Sequence, residues 1–175
     1  IPILKNINES HDKYMGKIIT LSNHSPFDDV TKYGNIDLGY LNDTEMGNYL
    51  KSAHYADEAL GVFFKLVKEN GLYEDTVFIL YGDHESKLGK KNLNLLYNYD
   101  EKSGEYKNKL DPTYVDLDNY QYDILKNTPL IIYTSNGIIN GEVKDVMGMW
   151  DVFPTVANMF NLSYRYHLGN DIFSR

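Results

Sequence analysis

Two adjacent residues, Asp83 and His84, are of the types that metal binding or proton transfer requires. They follow Gly82 and the apolar run Val77–Tyr81, which has the length of a strand. Because both faces of this run are apolar, it is typical of a central strand covered by helices on each side. Ligands of open α/β sheets bind beyond the carboxyl ends of the strands, where this pair stands. A carboxylate oxygen and an imidazole nitrogen there suit Mn²⁺, Zn²⁺ or Mg²⁺; the alternative is a capping aspartate beside a surface histidine.

A second histidine, His24, has the same kind of setting. It lies in the polar loop at residues 22–27 (SNHSPF), after a short apolar run at residues 17–21 (KIITL) that predicts a buried strand. An imidazole in such a loop can donate to a phosphate oxygen or act as a general acid. The alternative is a loop histidine bonded to the backbone.

The remaining candidates lack a supporting arrangement. His54 and Tyr55 stand inside a predicted helix and are interpreted as packing residues, and the acidic pair at 57–58 as a solvated face. His11 and His167 have no partners nearby in the sequence. The chain contains no G-x-S-x-G, phosphate-binding Walker loop, G-x-G-x-x-G or H-E-x-x-H motif. Asp83 and His84 by themselves are fewer ligands than the three or more that catalytic metal sites usually have.

The elements that position these residues follow from hydrophobic periodicity. A helix is predicted from a cap at Asp43 or Thr44 to about Asn70, since apolar residues recur there at steps of three, four and seven. A short connection then enters the strand that begins near Thr76, which makes an αβ unit of a parallel or mixed sheet. Further elements are predicted as a short helix at 88–97, a strand at 130–133 and a helix at 151–160. Residues 86–127 otherwise carry loop signals, which is typical of a functional or mobile segment.

Composition excludes several classes of protein. The 175 residues are enough for a domain with a real core, and 42% of them are hydrophobic, as in globular proteins. The net charge of -8 and the absence of a long basic run argue against nucleic-acid binding. The absence of cysteine excludes disulfide scaffolds and cysteine-ligated zinc. No apolar run approaches the ~18 residues that span a bilayer, and the first residues do not have the pattern of a signal peptide.

Four stretches together resemble one family. They are ITLSNHSPF, YLKSAHYADEALGVFFKLVKENGLYEDTVFILYGDH, NTPLIIYTSNG, and WDVFPTVANMFNL followed by LGNDIFS, in that order. The chain thereby resembles the C-terminal half of the sulfatase-like catalytic domain of lipoteichoic acid synthases and related phosphoglycerol transferases, in the alkaline phosphatase superfamily. The resemblance covers most of the chain outside residues 1–16 and 86–126. Glu85 and Ser86 depart from the aromatic-glycine pair that many members carry there.

The resemblance implies a fold and a site. The fold is α/β, with a central, mostly parallel sheet flanked by helices. Asp83 and His84 would bind one divalent metal, usually Mn²⁺, with Mg²⁺ or Zn²⁺ as alternatives. His24 would contact the substrate phosphate. The nucleophilic threonine and an acidic metal ligand of the family are expected upstream of Ile1, so that residues 1–175 form the C-terminal portion of the catalytic domain.

The resemblance also implies a reaction. The full-length protein is expected at the outer face of the cell membrane, held by its upstream part. It would transfer glycerol phosphate from a phosphatidylglycerol-type lipid to a growing polymer or glycolipid. Its partners would be that anionic lipid and the polymer, with no nucleic acid. One alternative is a sulfatase or phosphodiesterase of the same superfamily. Another is an inactive binding or structural module, because residues 1–175 alone are expected to be soluble and without turnover.

Overall fold

The structure is a computed structural model that describes residues 1–28 and 36–174. The chain forms two compact units, Ile1–Asn136 and Gly137–Arg175. Within the predicted loop region between the first apolar run and the long helix, residues 29–35 lie outside the described ranges. No helix of the described residues is both long and apolar enough to cross a membrane.

The long predicted helix is confirmed as α2, Glu45–Glu69, in the first unit. The Thr44 side chain caps it, accepting from the Gly47 backbone N–H at 3.0 Å. Gly71, with a φ of +67°, follows its last turn in the left-handed conformation that glycine adopts without strain. A short 3-10 turn, Gly39–Leu41, precedes the helix.

The predicted strands at 77–81 and 130–133 are confirmed as β1, Val77–Tyr81, and β4, Leu130–Thr134. They pair with each other in antiparallel register, with Val77 opposite Thr134 and Tyr81 opposite Leu130. Both ladders among the described residues are antiparallel, so the mostly parallel sheet that we predicted is not formed within them. Tyr81 is exposed, and of β1 only Phe78 is buried, so the expected cover on both faces is incomplete.

The prediction of a buried strand at residues 17–21 is wrong. These residues have no regular structure, and Ile18, Ile19 and Leu21 are each more than 60% exposed. A strand needs a hydrogen-bonded neighbour, and no segment of the described ranges pairs with this one. The region before it holds a helix that we did not predict, α1, Pro2–Ser10.

Helix α1 has neither a buried residue nor a side-chain cap, which explains why its sequence carries a weak signal. It is held by Ile1 and Leu4, which pack against a cluster formed by Val67, Leu72 and Phe78. This cluster joins the end of α2 to strand β1. A second cluster, described with the site below, joins the start of α2 to the polar loops.

The segment at 86–127 is more ordered than its loop signals indicated. It contains four elements: α3 (Lys90–Asn98), a hairpin of β2 (Tyr99–Asp100) and β3 (Glu105–Tyr106), and α4 (Asn119–Ile124). The predicted helix at 88–97 is confirmed within two residues. The capping box of Asp118 and Gln121 at the start of α4 is a sequence signal that we did not use.

The second unit is built around one buried carboxylate. A 3-10 turn, Met149–Asp151, leads into α5, Val152–Met159, which confirms the predicted final helix. Asp151 is 3% exposed and accepts from the backbone N–H of Gly148 at 3.0 Å and of Asn170 at 2.7 Å. These bonds tie the tail, which has no regular structure of its own, to the helix.

Candidate functional site

The loop that carries Asp83 and His84 begins at a close backbone approach. The Gly82 N–H donates to the Pro129 carbonyl at 3.3 Å, so this end of β1 lies beside the start of β4. A Cβ at position 82 would stand 2.9 Å from the Cβ of Thr128, closer than carbon atoms pack. Glycine is therefore required here for steric reasons, and the acid and the imidazole follow it into solvent.

The structure brings His24 and His84 together. Their ring centroids are 5.9 Å apart with an interplanar angle of 89°, so one ring edge faces the other ring. The carboxylate Oδ1 of Asp83 lies 3.8 Å from Nε2 of His84. Three residues that the sequence places in two loops, 60 positions apart, thus form one exposed group.

Both histidines are held in the same way. His24 Nδ1 lies 2.6 Å from the carbonyl oxygen of Ser25, and His84 Nδ1 lies 2.6 Å from that of Glu85. A carbonyl oxygen only accepts, so each Nδ1 carries the hydrogen and each neutral ring keeps its lone pair on Nε2. Metal-binding histidines are commonly oriented through the other ring nitrogen by such a carbonyl. Each ring therefore offers the Nε2 lone pair to a metal ion or, once Nε2 is protonated, an N–H donor to a phosphate oxygen.

The loop of His24 is anchored on helix α2 at two points. Oγ of Ser52, fully buried, lies 2.6 Å from the side-chain oxygen of Asn23. Phe27, 3% exposed, packs edge-on against Tyr49 with ring centroids 5.4 Å apart. Phe27 also joins the buried cluster of Leu41, Met46 and Leu88, so the loop ends inside the core. His24 lies between these two anchors, so its position is restrained although its side chain is exposed.

The loop after His84 is anchored as well. Leu88 is buried in the same cluster as Phe27, and its carbonyl accepts from the hydroxyl of Tyr122 on α4 at 2.8 Å. Asn92 on α3 donates to the Glu45 carboxylate at the start of α2 at 2.7 Å. The segment at 86–127 therefore supports the site loop, which explains why it is folded.

The donor atoms of the site fit part of a divalent metal site. One carboxylate and two Nε2 lone pairs are the oxygen and nitrogen ligands that Mn²⁺ and Zn²⁺ accept. Within residues 1–28 and 36–174, however, no three histidine, aspartate or glutamate side chains are grouped closely enough to hold a metal ion. The residues fit as a partial ligand set, which needs further ligands from outside this group.

The other sequence candidates do not join the site. His54 Nδ1 lies 3.8 Å from the Glu58 carboxylate one helical turn away, which is too far for a hydrogen bond, and this nitrogen is buried without a hydrogen-bond partner among the described residues. His11 contacts the Ser10 hydroxyl. His167 contacts the Gly169 carbonyl and the ring of Tyr164.

Sequence analysis missed the residues that position His24. Asn23 and Phe27, which flank the histidine, were interpreted only as loop residues. Ser52 was not assigned a role, because it is a small polar residue in a helix. A signal was available for Ser52, since it lies among the apolar residues of the helix, where a hydroxyl needs a buried partner. Its partner is 29 residues away and cannot be found from spacing.

Comparisons with known proteins agree on one family. The sulfatase family model matches residues 2–162. Lipoteichoic acid synthase 2 of Bacillus subtilis (strain 168) is 30% identical over 177 aligned residues, which cover 100% of this chain and 25% of that protein. The lipoteichoic acid synthase of Staphylococcus aureus (strain USA300) is 30% identical over 165 residues, which cover 93% of this chain and 23% of that protein.

The fold agrees with a solved structure. The crystal structure of the lipoteichoic acid synthase LtaP from Listeria monocytogenes superposes with a TM-score of 0.70 at 30% identity, covering 98% of this chain and 40% of that chain. This match confirms the predicted α/β, sulfatase-like fold. The chain spans about a quarter of the length of the curated relatives named here. With a family model matched over most of its residues, the chain belongs to the sulfatase family.

Proposed function

We propose that this chain is the C-terminal portion of the catalytic domain of a metal-dependent phosphoglycerol transferase of the lipoteichoic acid synthase type. The whole protein would transfer glycerol phosphate from a phosphatidylglycerol-type lipid to a growing polymer or glycolipid, at the outer face of the cell membrane. The observation that carries the proposal is that the side chain of His84 lies next to both the ring of His24 and the carboxylate of Asp83. The names of the 30% identical relatives support the choice of reaction.

Asp83 and His84 would hold one divalent metal ion, for which Mn²⁺ is the first choice, through the carboxylate and Nε2. When bound, such an ion supplies polarisation of a phosphoryl oxygen and a lowered pKa for an attacking hydroxyl. The remaining ligands and the nucleophilic threonine would come from other parts of the protein. The partial ligand set within the described residues supports the need for further ligands.

His24 would act on the substrate. With Nδ1 fixed on the Ser25 carbonyl, its Nε2 can take a proton and donate it to a phosphoryl oxygen. A hydrogen bond aimed at the charge that develops during phosphoryl transfer lowers the barrier more than it favours substrate binding. The chain has a net charge of -8, so local donors are needed where an anionic lipid reacts.

The test compares single variants of the full-length protein. Asp83→Ala is expected to lose bound Mn²⁺ and to lower diacylglycerol release from phosphatidylglycerol vesicles by about a hundredfold or more, because Lewis-acid stabilisation is worth several kcal/mol. His24→Ala is expected to lower the rate while metal content is retained. His11→Ala, the same change on an exposed histidine outside the site, is the control and should leave both unchanged.

Two results would redirect the proposal. Full activity and metal content in Asp83→Ala would remove the transferase mechanism. Hydrolysis of an aryl sulfate or a soluble phosphodiester, without diacylglycerol release from vesicles, would favour the sulfatase or phosphodiesterase alternative, which the family model also accommodates.

A further inference from the structure

A groove of about 470 Å³ lies in the first unit between α3 and the loop that follows β3. Four lysines line it, two from the first turn of α3 and two from the loop, and we call it the lysine groove: Lys90, Lys91, Lys107 and Lys109. One carboxylate, that of Asp116, also lines it. None of these residues belongs to the site formed by His24, Asp83 and His84.

The concentration of positive charge in the lysine groove contrasts with the rest of the chain. The sequence has 17 basic and 25 acidic residues, yet four of the basic ones gather here around a single acid. Across the described parts of the chain, the lysines in ion pairs within 4.0 Å are Lys65 and Lys126, and no carboxylate comes that close to a groove lysine. One of them, Lys107, donates through Nζ to the Thr113 carbonyl at 3.4 Å, and its charge helps to lower the pKa of Asp111. None of the four is held by a carboxylate of the described residues within 4.0 Å, so their charge can still act on a ligand.

The shape of the lysine groove is fixed by hydrogen bonds between its two walls. Asn98, 3% exposed, donates to the Val115 carbonyl at 2.8 Å and accepts from the Val115 N–H at 2.7 Å. The Lys107 N–H donates to the Asn98 carbonyl at 2.8 Å. These bonds fix the loop wall against the helix wall, so the lysine backbones are positioned before any ligand arrives.

We propose that the lysine groove binds a linear polyanion with a phosphate group in each repeat. Lysine binds phosphate as a point charge on a flexible stem, and four of them on two walls suit a chain of charges better than one fixed ion. The groove also has the volume of a site for a ligand much larger than a single phosphate. The identification of this ligand as the glycerol phosphate polymer rests on the proposed function. The groove would bind the part of the polymer that has already been synthesised, away from the phosphorus atom that reacts.

The test is binding to the full-length protein, without added metal. The probes are a synthetic glycerol phosphate oligomer, monomeric glycerol phosphate, and vesicles containing phosphatidylglycerol. The variant pair Lys91→Gln with Lys107→Gln removes one lysine from each wall. The control pair Lys5→Gln with Lys13→Gln removes the same charge from two exposed lysines outside the groove.

The groove pair is expected to weaken oligomer binding by about tenfold, since exposed ion pairs each contribute a factor of up to roughly five. The control pair should change it by less than about twofold, and wild-type affinity should fall as salt is raised. A second pair, Lys91→Arg with Lys107→Arg, keeps the charge and should retain binding, which separates charge loss from misfolding.

Four outcomes would overturn the proposal: no oligomer binding by the unaltered chain, equal losses in the groove and control pairs, monomer binding as tight as oligomer binding, or a groove-dependent binding of vesicles alone. The last would assign the groove to a lipid headgroup. Oligomer binding is measured without added metal, so it does not depend on the transfer reaction. Binding without transferase activity in the full-length protein would therefore count against the proposed function and not against the groove.

Discussion

The hydrogen bond between Ser52 and Asn23 positions His24, and its removal should be measurable. Oγ of Ser52 lies 2.6 Å from the Asn23 side-chain oxygen and 2.8 Å from the Tyr49 carbonyl oxygen. A hydroxyl has one hydrogen, so both contacts are satisfied together only when the amide of Asn23 turns its NH₂ toward Ser52. Ser52→Ala removes this link and leaves Phe27 as the remaining anchor.

The expected magnitude follows from burial. A net intramolecular hydrogen bond is worth about 1 kcal/mol. Asn23 is exposed and can bond to water after the change, so no large penalty for an unsatisfied group is added. The free energy of unfolding should fall by about 1 kcal/mol. The ratio of docked to displaced His24 loop should fall by roughly fivefold, because 1 kcal/mol is a factor of that size.

The assay is urea unfolding together with nuclear Overhauser contacts between the rings of His24 and His84 in the isolated chain. The rings meet edge to face at 5.9 Å, so their protons are close enough to give a cross-peak. In Ser52→Ala this cross-peak should weaken and the unfolding midpoint should drop. Ser10→Ala, the same change on an exposed hydroxyl of α1, is the control. Identical behaviour of the two variants would refute the anchoring role of Ser52.

Three further predictions concern stability. Gly82→Ala should destabilise the first unit by about 1–3 kcal/mol, since the added carbon overlaps Thr128, and Thr128→Ser should recover part of the loss in urea unfolding. Asp151→Ala should lower the stability of the second unit by about 2–4 kcal/mol, since two backbone N–H groups lose their acceptor; hydrogen exchange at those amides measures it. The pKa of Asp100 is lowered, chiefly by the Lys102 backbone N–H and then by the hydroxyl of Ser103. The charged form is therefore favoured by folding, and the hairpin turn should loosen as pH falls below about 4, seen as faster amide exchange in the turn and absent in Asp100→Asn.

The candidate residues were available from the sequence, but their arrangement was not. Asp83 and His84 could be chosen because an apolar run and a glycine precede them, which is local information. His24 could be chosen for the same reason, although the strand predicted before it is absent from the structure. That His24 faces His84 depends on contacts with α2 and the buried cluster at Phe27, which join residues far apart in the chain. The chemical roles of the three residues stay predictions.

The helices and strands also divide into those that the sequence predicts and features that depend on tertiary contacts. The sequence by itself determined α2, β1, β4 and α5, because apolar periodicity and capping are written in neighbouring residues. It also carried the family resemblance, through motifs of adjacent residues. Only the tertiary structure decided the antiparallel pairing of β1 with β4, the exposure of residues 17–21 and the lysine groove. The physical reason is that strand pairing, burial and local charge density depend on contacts between segments that are distant in the sequence. The free energy of those contacts cannot be derived from any single segment.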